Sequence, residues 1–144
     1  MSRLFDDGSS EYLGIDQTAL AGRPVAMVCR FNTNDAAATQ SLMILCDKDS
    51  LPNYRRLYIH GDNDIVAYEY GQTSASGATE ATGFAVDTWH HACAIYATST
   101  DRRMILNGSL KATDNTEVGV VDSLDRMTLG AYRIGAVNVN YLSG

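Results

Sequence analysis

Helical periodicity is almost absent from this chain, and that absence narrows its fold more than any other feature. In its place come short runs rich in Val, Ile, Tyr and Thr: "EYLGI" 11–15, "VAMVCRF" 25–31, "SLMILCD" 41–47, "YRRLYIH" 54–60, "DIVAYEY" 64–70, "TGFAV" 82–86, "WHHACAIYA" 89–97, "RRMILN" 102–107, "SLKAT" 109–113 and "RMTLGAY" 126–132. Turn-forming residues separate them, as in "LPN" 51–53 and "GDN" 61–63. Short β-rich runs punctuated this way predict an all-β sandwich or barrel. Asn107–Gly108 lies between two runs, and both residue types tolerate the positive φ of a two-residue type I′ hairpin. "TNDAAATQSL" 33–42 reads as a loop with one helical turn capped by Asn34 or Asp35. "GQTSASGATEATG" 71–83 reads as a loop leading into a plain edge strand. No repeat or internal boundary is visible, so 1–144 is read as one domain, long enough to bury a core without staples.

Charge excludes some functions. With 11 basic and 17 acidic residues the net charge is −6, and no basic face for duplex binding is present. The pairs Arg55–Arg56 and Arg102–Arg103 would split to opposite faces of their strands. No apolar run approaches the roughly 20 residues of a membrane span, and the N-terminus has no signal-type apolar stretch. Cys29, Cys46 and Cys93 each sit in an apolar run and are expected as reduced core thiols, which suits a reducing cytosol.

Phe5, Asp6, Gly8 and Tyr12 open the chain. Trp89 and His91 follow, then Leu106, Asn107 and Gly108, then Leu129 and Gly130. In this order and spacing they resemble the laminin-G-like, concanavalin A-like jelly-roll domains over nearly the whole chain. The resemblance implies an antiparallel two-sheet jelly-roll sandwich. It also implies a setting. Short members that are not exported look like phage virion proteins, whereas secreted laminin-type relatives usually carry disulfides.

Four chemistries come into question for these residues. On a strand His90 and His91 point to opposite faces and cannot share a metal. The face with Trp89 offers only His91 and Cys93, short of the three or four ligands zinc needs. Trp89 and His91 are therefore expected to face the core, so that replacing His91 costs stability and replacing His90 does not. Glycoside hydrolysis needs two facing carboxyls about 5–10 Å apart. "DIVAYEY" supplies only Glu69, and no nucleophile elbow or phosphate loop is present, so no enzyme is expected. No cofactor is expected either. Ca²⁺ is the one cation the oxygen-rich loops Asp47–Asp49 and Asp62–Asp64 could attract, but solvated turns explain those loops better. Tyr54, Tyr58, Tyr68 and Tyr70 supply aromatics on adjacent runs that could form a platform for a glycan or partner.

"NVNYLSG" 138–144 resembles the lead-in to a final strand that in the family closes a sheet beside the first strand. Glu11, Tyr12, Leu13, Gly14 and Ile15 are therefore expected at or near an edge that docks another protein. The leading expectation is a non-enzymatic virion module assembled in the host cytoplasm. It would be a capsid decoration or cement protein, or a tail component, docking on a major capsid protein or on copies of itself. The alternative is a carbohydrate-binding module for cell-surface glycans. Neither reading involves nucleic acid or a membrane.

Overall fold

The structure, a computed structural model, describes residues 12–16, 22–49, 53–61, 63–80, 83–134, 137–139 and 141–142. Every regular element among them is a strand: β1 (Leu13–Asp16), β2 (Val25–Phe31), β3 (Gln40–Cys46), β4 (Tyr54–His60), β5 (Asp64–Tyr70), β6 (Ala75–Glu80), β7 (His90–Thr98), β8 (Asp101–Leu106), β9 (Ser109–Asp114), β10 (Arg126–Leu129), β11 (Tyr132–Ile134) and β12 (Val137–Val139). They form a six-stranded sheet in the order β1-β10-β3-β4-β5-β6, a four-stranded sheet in the order β2-β7-β8-β9, and the hairpin β11–β12. Every pairing is antiparallel. This is the expected two-sheet sandwich.

Period-two patterning builds the core. Leu57, Ile59, Ile65 and Ala67 point inward from the larger sheet and Met27, Phe31, Ala92, Ala94, Tyr96 and Met104 from the smaller, all in one buried cluster. Strands 25–31, 54–60 and 64–70 match the sequence expectation residue for residue. The Asn107–Gly108 turn has φ of 51° and 80°, the positive values a type I′ hairpin needs.

Three expectations are corrected. Residues 83–86 form no strand; the edge strand is β6, inside the Gly/Ala/Ser/Thr stretch. The 33–42 segment makes no helical turn. Asp35 Oδ1 instead accepts from the Ala37 and Ala38 amides at 2.7 and 3.3 Å, a cap on a turn that goes no further. Run 126–132 breaks at Gly130, whose φ of 79° ends β10 before β11 begins.

The core also holds charge. Glu69, Arg55 and Arg102 are each 0 % exposed. Glu69 Oε1 accepts from Arg55 Nε at 2.8 Å, while Arg102 Nη1 and Arg23 Nη2 reach its Oε2 at 3.3 and 3.2 Å. Arg102 continues to Asp114 Oδ2 at 2.8 Å. Arg55 and Glu69 belong to the larger sheet and Arg102 to the smaller, so the cluster ties the two layers together. The arginine pairs do split to opposite faces, but the inward member of each is wholly buried.

Candidate functional site

Turning Arg55, Leu57 and Ile59 inward turns Tyr54, Arg56 and Tyr58 outward on β4, and Tyr68 and Tyr70 outward on β5. Register sets Tyr54 opposite Tyr70 and Arg56 opposite Tyr68. The four tyrosines named from sequence therefore meet on the outer face of the six-stranded sheet. Tyr54 lies 6.0 Å from Tyr68 and 5.6 Å from Tyr70, and Tyr58 lies 6.3 Å from Tyr68, ring centre to ring centre. Tyr132 of β11 adds a fifth ring, 5.5 Å from Tyr54. Ile44 and Cys46 of β3 lie beneath. A Cβ at Gly77 would stand 2.8 Å from Tyr68 Cδ2, so the absent side chain there lets this ring lie over β6.

Arg56 occupies the middle. Its guanidinium carbon sits 4.2 Å from the Tyr58 ring centre and 4.5 Å from that of Tyr132. Nε donates to Ser41 Oγ at 3.2 Å, while Nη2 is buried with no partner. Burial pushes the Arg56 pKa down to about 10, against the pull of the surrounding tyrosines. Burial likewise raises Tyr54, Tyr58, Tyr68 and Tyr132, so the phenols are neutral at ordinary pH and can both donate and accept. From inside, Tyr96 Oη lies 2.9 Å from Arg56 O and 3.1 Å from Tyr68 O, fixing the backbone under both residues. Such a face can stack on the apolar side of a ring-shaped ligand and hydrogen-bond its substituents.

Sequence reasoning missed Arg56, Tyr132 and Gly77 as parts of this face. Arg56 could have been found, because strict alternation puts it on the tyrosine side of β4.

The histidines stand the other way round from expectation. His90 is buried, with Nε2 2.9 Å from Ala85 O and Nδ1 3.0 Å from Asn107 Nδ2, while His91 is exposed. Trp89 is 48 % exposed and stacks on Arg30 at 4.8 Å instead of packing the core. Alanines 92 and 94 take the inner positions, where small side chains let the sheets approach. His90→Ala should therefore cost about 1–3 kcal/mol through the partners it leaves unpaired, and His91→Ala close to none. Chemical denaturation of both variants checks this reversal.

Cys46 is buried as expected, but Cys29 and Cys93 are partly exposed; none of the three is in a disulfide. Burial lifts Cys29 and Cys46 to about 12, which leaves them unreactive. Leu13, Gly14 and Ile15 lie on β1, at the edge of the larger sheet, with Tyr12 just before it; Glu11 falls outside the described residues. Asp47 and Asp49 are engaged in a local turn and with Lys48, and Asp62 falls outside the described residues. Among the described residues no three His, Cys, Asp or Glu side chains are grouped to hold a metal. Glu69 faces away from the tyrosines and is held by arginines.

A family model described as the concanavalin A-like lectin/glucanases superfamily matches residues 7–144. A search of curated proteins finds no match. Similar solved structures include domains LG4-5 of the mouse laminin alpha1 chain, at 13 % identity and TM-score 0.69, covering 92 % of this chain and 36 % of that one. A second is the CBM40 of a Ruminococcus gnavus IT-sialidase bound to α2,3-sialyllactose, at 15 % identity and TM-score 0.72, covering 94 % of this chain and 87 % of that one. A third is a mutant NanB sialidase from Streptococcus pneumoniae, at 14 % identity and TM-score 0.75, covering 92 % of this chain and 23 % of that one. This chain thus spans about a third of the laminin structure and under a quarter of the sialidase. At such identities the likeness is one of fold.

Proposed function

This chain belongs to the concanavalin A-like lectin/glucanase superfamily, and from that premise we propose that it is a non-catalytic carbohydrate-binding module whose site is the tyrosine face of the six-stranded sheet. The observation that carries this reading is the convergence of Tyr54, Tyr58, Tyr68, Tyr70 and Tyr132 around Arg56 on one outer face. Aromatic rings offer flat apolar area to the C–H face of a sugar, and neutral phenols offer hydrogen bonds to its hydroxyls. The fold neighbour bound to sialyllactose supports a glycan over the virion partners expected from sequence. Glu69, the acidic residue on the tyrosine-bearing strand β5, is held inside by Arg55 and Arg102 and is not offered to a ligand on the tyrosine face.

A glycan array followed by titration tests this. Tyr68→Ala should weaken binding by about tenfold or more while circular dichroism stays unchanged. A parent protein that retains no glycan, or a Tyr68→Ala variant that binds like the parent, would overturn the reading.

A second reading, docking of a capsid or tail protein or a second copy along β1, has one physical motive. Leu13 and Ile15 remain 43 % and 46 % exposed on that edge strand. Placement in a virion belongs to this reading and rests on sequence resemblance alone. Concentration-dependent sedimentation that Ile15→Lys abolishes would favour it.

A further inference from the structure

Resting on the glycan reading above, we infer that the tyrosine face selects a saccharide bearing a carboxylate, with Arg56 as its counter-ion. Arg56 is 7 % exposed, and among the described residues no carboxylate pairs with it. That contrasts with the other buried arginines. Arg55 and Arg102 share Glu69, Arg102 also holds Asp114, and Arg126 grips Asp16 at 2.6 Å. A guanidinium taken out of water without a counter-charge is costly, and tyrosine stacking offsets only part of that cost. The cost falls when an anion arrives.

Geometry specifies the anion's approach. Tyr58 and Tyr132 stack on the guanidinium, and Nε is committed to Ser41. The Nη1–Nη2 edge remains, and two parallel N–H groups there match the two oxygens of a carboxylate. Nη2 itself is enclosed, so side chains packed about the guanidinium, where Tyr58 and Tyr132 stack, must give way for a ligand to reach it. The rings against the guanidinium, Tyr58 and Tyr132, are half-buried and hinge on two side-chain torsions. A net charge of −6 and a single arginine within this tyrosine cluster disfavour a polyanion and suit a sugar with a single acidic group.

Titration calorimetry on the full chain compares methyl glucuronide with methyl glucoside and N-acetylneuraminic acid with galactose. The acidic sugar of one pair or both should bind on the order of tenfold tighter than its neutral counterpart. Arg56→Met should remove that preference and keep the weaker neutral binding. Because it deletes a buried unpaired charge, it should melt no lower than the parent, which an arginine kept for structure would not allow. Equal affinity for acidic and neutral sugars, unchanged in Arg56→Met, would overturn the carboxylate assignment and leave glycan binding standing. An acidic peptide bound through Arg56, with no sugar bound, would overturn both. So would the absence of binding to every sugar at millimolar concentration.

Discussion

Glu69→Ala should unfold the protein or strip it of about 3–5 kcal/mol, a large share of the 5–15 kcal/mol that holds a typical domain together. The reason is asymmetry. Glu69 is the shared anion of Arg55, Arg102 and Arg23, and the first two are wholly buried. Removing it leaves Arg102 with Asp114 and leaves Arg55 without a carboxylate among the described residues, held by the neutral Gly22 carbonyl at 2.8 Å. An unpaired buried cation costs far more than the pair was worth. For the same reason Glu69→Leu combined with Arg55→Met should recover part of the loss, since both charges leave together. Urea denaturation of the single and double variants measures this. A Glu69→Ala protein within about 1 kcal/mol of the parent would show that the cluster is far better solvated than its burial implies.

Tyr96→Ala should cost a comparable amount, about 3–5 kcal/mol. The ring is 0 % exposed and lies 5.7 Å from the Arg55 guanidinium carbon, so truncation opens a cavity beside a buried charge. Its hydroxyl is a separate term. Tyr96→Phe keeps the ring and removes only the donor to Arg56 O and Tyr68 O, at about 1–3 kcal/mol. Both carbonyls belong to residues of the outer face. Tyr96→Phe should therefore weaken ligand binding although Tyr96 never touches that face. Thermal melts and ligand titration of the two variants separate the packing loss from the loss of positioning.

Strands were legible wherever β-branched and aromatic residues were dense. β2, β4 and β5 could be read end to end, and the Asn107–Gly108 turn announced itself through residue types that accept positive φ. β6 was not legible, because "ASGATE" has the composition of a loop; pairing with β5, from Tyr70–Ala75 to Ile65–Glu80, makes it a strand. The two faces of β7 were misassigned for a related reason. Trp89, Cys93 and Ile95 look more apolar than Ala92 and Ala94, yet closely packed sheets want small residues inside, and Trp89 finds Arg30 outside.

The buried ions left a signal that composition hides. Arg55 shares alternation with Leu57 and Ile59, Glu69 with Ile65 and Ala67, and Arg102 with Met104 and Leu106. Three charges in phase with core residues are the mark of an internal cluster. The four tyrosines of the candidate site were legible as a group. Tyr132 was not, because it arrives from β11 after the Gly130 break, and no local pattern brings that strand beside Tyr54.

Glycan contact at the tyrosine face is tested most directly by NMR with ring-labelled tyrosine and guanidinium-labelled arginine, titrating the sugar that the array selects. The expected result is a shift confined to Tyr54, Tyr58, Tyr68, Tyr70, Tyr132 and Arg56 Nε, saturating with the same affinity as the calorimetric titration. Shifts confined to the opposite sheet, around the shallow groove of Val28, His91, Cys93 and Asn107, would contradict it.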